Sequence, residues 1–297
     1  MKQQTLLAAE HYPVLVTGAR GLLGHALGPY LASAAPAPDA LRLTDIEELD
    51  VTDEAAVAAT MRDLEPRTVF HLAAWTDVDG AEAHPDEAAR LNVEAAEHMA
   101  RAARQAGALL VHISTDFVFD GTKDGPYVED DPPNPLGVYG RTKAASETRV
   151  RAAAPDNHLI ARAALLYGAG GRNFVDSILA AANEGKPLRV TTDLVGCPTW
   201  SDDLARALVA MVNAGLRGTY HACGAGAASR WEWAVETVRA AGLQVAVQPV
   251  TSAAWPSAAQ RPARAVLSTE KLARAAGFRF PDWRESIRDY VHASRGA

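Results

Sequence analysis

The sequence is poor in cysteine: two in 297 residues, Cys197 and Cys223, with neither a metal-ligand spacing nor a disulfide framework. That excludes a bridge-stapled secreted domain and a zinc module, so no metal is expected, and it fits a reducing, cytoplasmic setting. Long apolar runs are missing too. None approaches the ~20 residues of a membrane helix, and the N-terminal stretch lacks a secretory apolar region. Positive charge is in deficit: 29 Lys and Arg against 36 Asp and Glu leave a formal net charge of −7, with no Lys/Arg cluster. Neither nucleic acid nor membrane is therefore an expected partner. No segment repeats. What the chain does have is 48% hydrophobic residues over a length able to bury one large core or two modest ones.

Those hydrophobic residues come as short runs alternating with helical stretches. Residues 12–16 read as a buried strand, after a loose leader over residues 1–11. The strand runs straight into Thr17-Gly18-Ala19-Arg20-Gly21-Leu22-Leu23-Gly24 and a helix to Leu31. Strand, glycine turn and helix form the context of a dinucleotide fingerprint. Gly18 would allow the tight turn, Gly21 the approach of a pyrophosphate, and Gly24 close helix–strand packing, with the helix N-terminus facing the phosphates. Leu22 and Leu23 complete the expected contacts. Residues 41–44 give a second strand with Asp45 after it, where an acid can bond a ribose 2′-hydroxyl and favour NADH. Arg20, or Arg42, could instead meet a 2′-phosphate and favour NADPH, so the cofactor stays open between the two. Residues 49–53 read as a short strand in which Asp50, next to Val51, either bonds the adenine or caps the following helix. Residues 67–72 are a third strand ending at Ala73-Ala74, small enough for a cofactor to lie against the backbone. Thr76, Asp77 and Asp79 follow in a loop. Residues 85–107 make an amphipathic helix, with Asn92 structural.

Residues 109–143 carry the candidate chemistry. Leu109-Leu110-Val111-His112-Ile113 is a strand, and Ser114-Thr115-Asp116 sit at its carboxyl end, where ligands of parallel sheets bind. After a turn-rich insertion come Tyr139-Gly140-Arg141-Thr142-Lys143. On a helix Tyr139 and Lys143 share a face. An ammonium beside a phenol favours the phenolate, so the tyrosine pKa is expected to fall toward neutrality and serve acid–base catalysis.

The alternation has a period of about thirty residues, which implies an α/β protein with a Rossmann-type, doubly wound parallel sheet. It loosens past residue 165. Residues 1–165 are read as the NAD(P)-binding domain, and 166–297 as a smaller α+β substrate-binding part, some of whose elements return to the first. His221, in that second part, reads as a packed histidine.

With these motifs in place, the chain resembles the extended short-chain dehydrogenase/reductases, and among them the dTDP-4-dehydrorhamnose reductase family. The resemblance rests on residues 17–24, 49–53, 73–79, 112–121, 126–129 and 139–143. It continues through Gly171-Arg172-Asn173-Phe174, Gly196-Cys197-Pro198-Thr199 and Arg261-Pro262. It implies a nucleotide-sugar substrate, NADPH or NADH, and a catalytic trio of Thr115, Tyr139 and Lys143. In the implied reaction, hydride passes to the C4 ketone of a 6-deoxy-4-keto sugar. Tyr139 protonates the alkoxide, Lys143 lowers its pKa and holds the nicotinamide ribose, and Thr115 bonds the ketone oxygen. Thr76, Asp116, Phe117, Leu165, Asn173, Phe174 and Arg261 fall at substrate positions. A homodimer is compatible with the resemblance.

Three positions depart from the family pattern: Phe117 for the usual tyrosine, Leu165 for a frequent tryptophan, and Arg264-Ala265 after Arg261-Pro262. They bear on which sugar is bound. Two other readings compete with the reductase. An epimerase or 4,6-dehydratase shares the fold, but dehydratases carry Asp-Glu after the threonine, and here Asp116 precedes Phe117, so the second carboxylate is absent. A non-catalytic NADP-binding regulatory subunit is the other, against which the intact trio argues.

Overall fold

The computed structural model describes residues 6–295. Six short runs make one sheet: β1 Val14–Thr17, β2 Leu41–Thr44, β3 Thr68–His71, β4 Leu109–Thr115, β5 His158–Ala163 and β6 Gly218–His221. They lie in the order β6-β5-β4-β3-β1-β2, every pair parallel. Residues of β1, β3 and β5 are buried at each position, as strands covered on both faces must be.

Seven of the helices are α1 Leu22–Ala34, α2 Glu54–Leu64, α3 Ala95–Ala106, α4 Val138–Ala153, α5 Phe174–Asn183, α6 Ser201–Asn213 and α7 Arg230–Ala240. Alternate strand residues select the layers. Val14 and Val16 point to the side where Leu23, Leu27 and Leu31 of α1 meet Leu204, Leu208 and Val212 of α6. Leu15 points to the other, against Val57 and Met61 of α2, Met99 of α3 and Val150 of α4. Thus α6 and β6, late in the chain, lie in the layers begun by the first half. Other parts of the second half surround clusters of their own, the largest rings among them being Tyr167, Trp233, Trp283 and Tyr290.

Three local expectations are corrected. Residues 49–53 are a turn, not a strand. Asp50 Oδ1 accepts the Thr52 amide at 2.9 Å and its hydroxyl at 2.8 Å, so the side chain takes the donor a β-ladder would need. Asp53 then caps α2. The expected leader is docked over its described part: Leu7 is buried, and the Ala8 amide donates to Asn213 Oδ1 at 3.0 Å. Residues 1–5 lie outside the described residues. The helix expected over 85–107 is interrupted by a π turn at Arg90–Glu94. That turn faces Asn92 inward, where its side chain binds the Trp75 amide and carbonyl and the Thr142 hydroxyl. His221 is buried, its ring edge-on to Phe119, in keeping with a packed role.

Candidate active site

The sheet's winding reverses between β1 and β3, and a cleft of about 770 Å³ opens there at the strands' carboxyl ends. Gly18 closes β1 with φ +68°, and a Cβ on it would stand 2.6 Å from the Ala73 amide nitrogen. Only glycine lets these two strand ends come so close. Gly24 serves a different neighbour than expected: its missing Cβ makes room for the Ala19 backbone of the turn itself, not for a strand. Gly21 is different again. A Cβ there would meet nothing nearer than the Gly18 carbonyl oxygen at 3.4 Å, so the chain's own packing does not demand glycine. Gly18, Gly21, Leu22 and Leu23 line the cleft where α1 begins, with Ala73 and Ala74 opposite and Asp45 and Val51 at one end. A bare-backbone turn, a helix N-terminus and an acid at the ribose end fit a dinucleotide.

Three residues expected here are elsewhere. Asp50 is exposed and spent on its own turn. Arg20 is exposed, its guanidinium paired with Glu47 and Glu48 and its amide donating to Asp45 Oδ2 at 2.9 Å. Arg42 pairs with Asp63, away from the cleft.

Thr115 ends β4, and α4 starts one residue before Tyr139, bringing phenol, hydroxyl and the Lys143 ammonium together at the middle of the cleft. The start of α4 is held by Glu82, which accepts the Val138 amide at 2.7 Å. Phe117 packs its ring edge against Tyr139, centroids 5.5 Å apart. The Thr115 hydroxyl accepts the Phe117 amide at 3.2 Å and donates to Asp116 Oδ1 at 3.0 Å.

The electrostatics differ from the expectation drawn from spacing. Burial pushes the Tyr139 phenol up to about 12, with the Thr115 hydroxyl pulling it back and the Asp116 charge adding to the rise. The cost of burying a phenolate governs the shift, and the lysine is not among the groups that set it. Lys143 shows the same effect from the other side: burial brings it down to about 8, against the upward pull of Glu147. Asp116, also buried, is pushed up to about 6. All three groups are thus held toward their neutral forms.

Beneath the lysine lies a buried carboxylate fully engaged by neighbours. Glu147 Oε1 accepts the Ser114 hydroxyl at 2.6 Å and Arg162 Nε at 2.8 Å, and its Oε2 accepts Arg162 Nη2 at 2.8 Å and Arg151 Nη2 at 2.6 Å. This network ties β4, α4 and β5 together below the site. It is the kind of buried charge that persists only when so satisfied.

The far wall draws on both halves of the chain. Thr76, Asp116, Phe117, Leu165, Asn173, Phe174 and Arg261 all line the cleft. Leu165 holds φ +42°, a strained conformation for leucine, in the turn that leads β5 into that wall. Asn173 caps α5 by accepting the Asp176 amide at 3.0 Å, and donates to the Gly168 carbonyl at 2.8 Å. Arg261 is clamped by Asp79, Nη2 to Oδ2 at 2.7 Å. Sequence reasoning missed Arg230. It sits at the start of α7, its guanidinium over the rings of Phe174 at 5.4 Å and Trp233 at 5.2 Å, and it lines the cleft. The one local signal was the Ser229–Glu232 capping box that fixes the helix start beside it.

Comparison with known proteins agrees with this geometry. The family described as RmlD substrate binding domain matches residues 12–295. A dTDP-4-dehydrorhamnose reductase of Streptomyces griseus is 41% identical over 289 residues, covering 95% of this chain and 94% of the relative. The crystal structure of a dTDP-4-dehydrorhamnose reductase from Clostridium acetobutylicum superposes with a TM-score of 0.90 at 35% identity, over 95% of this chain and 99% of that one. That of the Bacillus anthracis dTDP-4-dehydrorhamnose reductase in complex with NADP also gives 0.90, at 32% identity over 94% and 98%. The chain belongs to the dTDP-4-dehydrorhamnose reductase family. It is therefore an oxidoreductase with an extended short-chain dehydrogenase/reductase fold. Within this reductase family, its departures fall at two kinds of place. Phe117 and Leu165 face the cleft, whereas Arg264 is exposed and outside its lining. Among the described residues no helix is long and apolar enough to cross a membrane.

Proposed function

We propose that the protein reduces the C4 ketone of a dTDP-linked 4-keto-6-deoxy sugar, dTDP-4-dehydrorhamnose or a near relative, with NADPH or NADH. The observation that carries this is the convergence of Thr115, Tyr139 and Lys143 on one cleft whose other end is the Gly18–Gly21 turn. A nicotinamide dinucleotide bound along that turn supplies the hydride.

The remaining work belongs to the chain. Gly18, Gly21, Leu22 and Leu23 bind the pyrophosphate, Asp45 the adenosine ribose, Ala73 and Ala74 the flat side of the cofactor. Lys143 orients the second ribose beside Tyr139. Thr115 and Tyr139 hold the ketone oxygen, and Tyr139 donates the proton that oxygen needs. A phenol with a pKa near 12 keeps its proton until a stronger base forms, and an alkoxide is one. Arg230 supplies positive charge for the sugar nucleotide's diphosphate, its aromatic stacking leaving the guanidinium edge free to bond it. The two free, buried cysteines support a cytoplasmic setting.

The test is a panel of dTDP- and UDP-linked 4-keto-6-deoxy sugars, with NADPH and NADH oxidation followed separately and products identified by NMR. The reading expects a 4-hydroxy sugar from at least one dTDP substrate. Cofactor binding without turnover on any of them would favour the regulatory-subunit reading.

A further inference from the structure

The mechanism above uses Thr115 and Tyr139 but leaves Asp116 without a task, although it is the residue most tightly linked to both. It is buried, it accepts the Thr115 hydroxyl at 3.0 Å, and Thr115 in turn faces the Tyr139 phenol. Asp116 also lines two spaces. One is the main cleft. The other is a side pocket of about 20 Å³ behind it, bounded by Asp116, Arg230, Arg261 and apolar neighbours. That volume is room for about one water, and three polar side chains are enough to hold it.

We propose that Asp116 is the proton source of the reduction, delivering a proton through Thr115 to Tyr139 and being recharged from the side pocket. The proposal rests on the reductase reading above. Each turnover consumes one proton on the protein side. As the Tyr139 O–H bond breaks, an O–H bond forms on the sugar's C4 oxygen. The Thr115 hydroxyl proton passes to the phenolate oxygen, the Asp116 carboxyl proton passes to the Thr115 oxygen, and a proton taken from bulk solvent, relayed by a water in the side pocket that gives up one proton as it accepts another, recharges the carboxylate. No electrons move in this chain of transfers; the electron pair arrives as hydride from the bound nicotinamide.

The 3.0 Å contact between Thr115 Oγ1 and Asp116 Oδ1 serves both charge states of the carboxyl. An ionised Asp116 can only accept, so Thr115 donates to it. Once protonated, Asp116 donates to Thr115 Oγ1, and the threonine's own proton turns toward Tyr139 and the ketone. The groups facing Asp116 allow both states. Arg230 from α7 favours the carboxylate, and Arg261 on the loop before Arg264 also lies on the side pocket. Cys197 and Cys223 bring no positive charge, and Tyr139 is neutral. Lys143 lies one helical turn along α4 from Tyr139, and it is not among the charges acting on Asp116. With burial setting the balance, Asp116 is held up to about 6. It is therefore partly protonated near neutrality, which a proton donor working at that pH requires.

The experiment compares wild type, Asp116→Asn and Asp116→Glu between pH 5 and 9. It follows NADPH oxidation with dTDP-4-dehydrorhamnose, and measures cofactor Kd and urea unfolding alongside. The wild-type kcat should fall about tenfold per unit above the Asp116 pKa. Asp116→Asn should lower kcat at pH 6 by at least about tenfold and flatten the limb, at unchanged cofactor Kd, because an amide can hydrogen-bond Thr115 but cannot pass a proton. Asp116→Glu should restore the limb. A substrate-free readout accompanies these: ¹³C NMR of labelled aspartate carboxyls should show one group titrating near pH 6 that disappears in Asp116→Asn. If wild type turns over and Asp116→Asn keeps its rate and pH profile, or if no such titration exists, the relay is wrong while the reductase reading stands. If wild type oxidises neither cofactor with any keto sugar, the reductase reading fails and takes the relay with it.

Discussion

Replacing Lys143 by methionine should make the unliganded protein more stable while destroying its activity. Lys143 as a whole residue is 2% exposed, and among the described residues its ammonium donates no hydrogen bond to the chain. Burial lowers its pKa from 10.5 to about 8. A drop of about 2.5 units corresponds to about 3 kcal/mol of cost for keeping the charge inside. The sign follows from linkage. Between about pH 8 and 10.5 the unfolded chain holds a proton that the folded chain has released, so stability rises with pH through that window. Below pH 8 the full cost stands. Lys143→Met removes the charge, keeps most of the apolar stem, and leaves a small void that offsets part of the gain. Urea unfolding of the cofactor-free protein at pH 7 should therefore show the variant more stable by on the order of 2 kcal/mol, an advantage almost gone at pH 9.5, where release of the lysine's proton has relieved about 2 kcal/mol of the cost. Cofactor oxidation should be lost at both. A variant no more stable than wild type at pH 7 would mean that the ammonium is well solvated or paired in the folded state, and the burial argument would fail for Tyr139 and Asp116 as well.

Other perturbations probe the cofactor and sugar ends. Gly21→Val should leave the unfolding midpoint nearly unchanged, since a Cβ there meets only the Gly18 carbonyl oxygen at 3.4 Å, yet abolish cofactor binding; unaltered affinity in a fluorescence titration would remove this turn from the site. Glu47→Gln with Glu48→Gln releases Arg20 from its surface ion pairs, and should shift the NADP⁺-to-NAD⁺ Kd ratio toward the phosphorylated cofactor by about fivefold. A change below about twofold would show that Arg20 does not reach the 2′-phosphate. Phe117→Tyr adds a hydroxyl to the ring packed on Tyr139, and kcat/KM for dTDP-4-dehydrorhamnose should rise by about fivefold relative to other keto sugars. A fall instead would point to a different native sugar.

The parts of this site that were legible in the sequence are those whose chemistry is local. The Gly18–Gly24 turn, Thr115 at a strand end and the Tyr139–Lys143 spacing each declare themselves within a dozen residues, because strand, turn and helix positions are set by nearby chain. What was not legible depends on burial or on distant partners. Spacing placed Lys143 beside Tyr139 but could not reveal that desolvation would govern both pKa values. Arg230 reaches the cleft only because α7 folds back onto a wall that begins more than sixty residues earlier, at Leu165. Arg20 was readable as a cation, but not as one already neutralised by Glu47 and Glu48. Residues 49–53 looked like a strand by composition, and the Asp50 side chain overrode that by bonding its own turn.

The most direct test of the account is the kinetics of Tyr139→Phe. The change deletes one oxygen and keeps the ring against Phe117, so cofactor Kd should stay within about twofold. kcat for reduction of a dTDP-linked 4-keto-6-deoxy sugar should fall by about 10²- to 10⁴-fold, the range a general acid typically contributes. Full activity in Tyr139→Phe would contradict the assignment of Tyr139 as the proton donor, and with it the reduction chemistry built on this cleft.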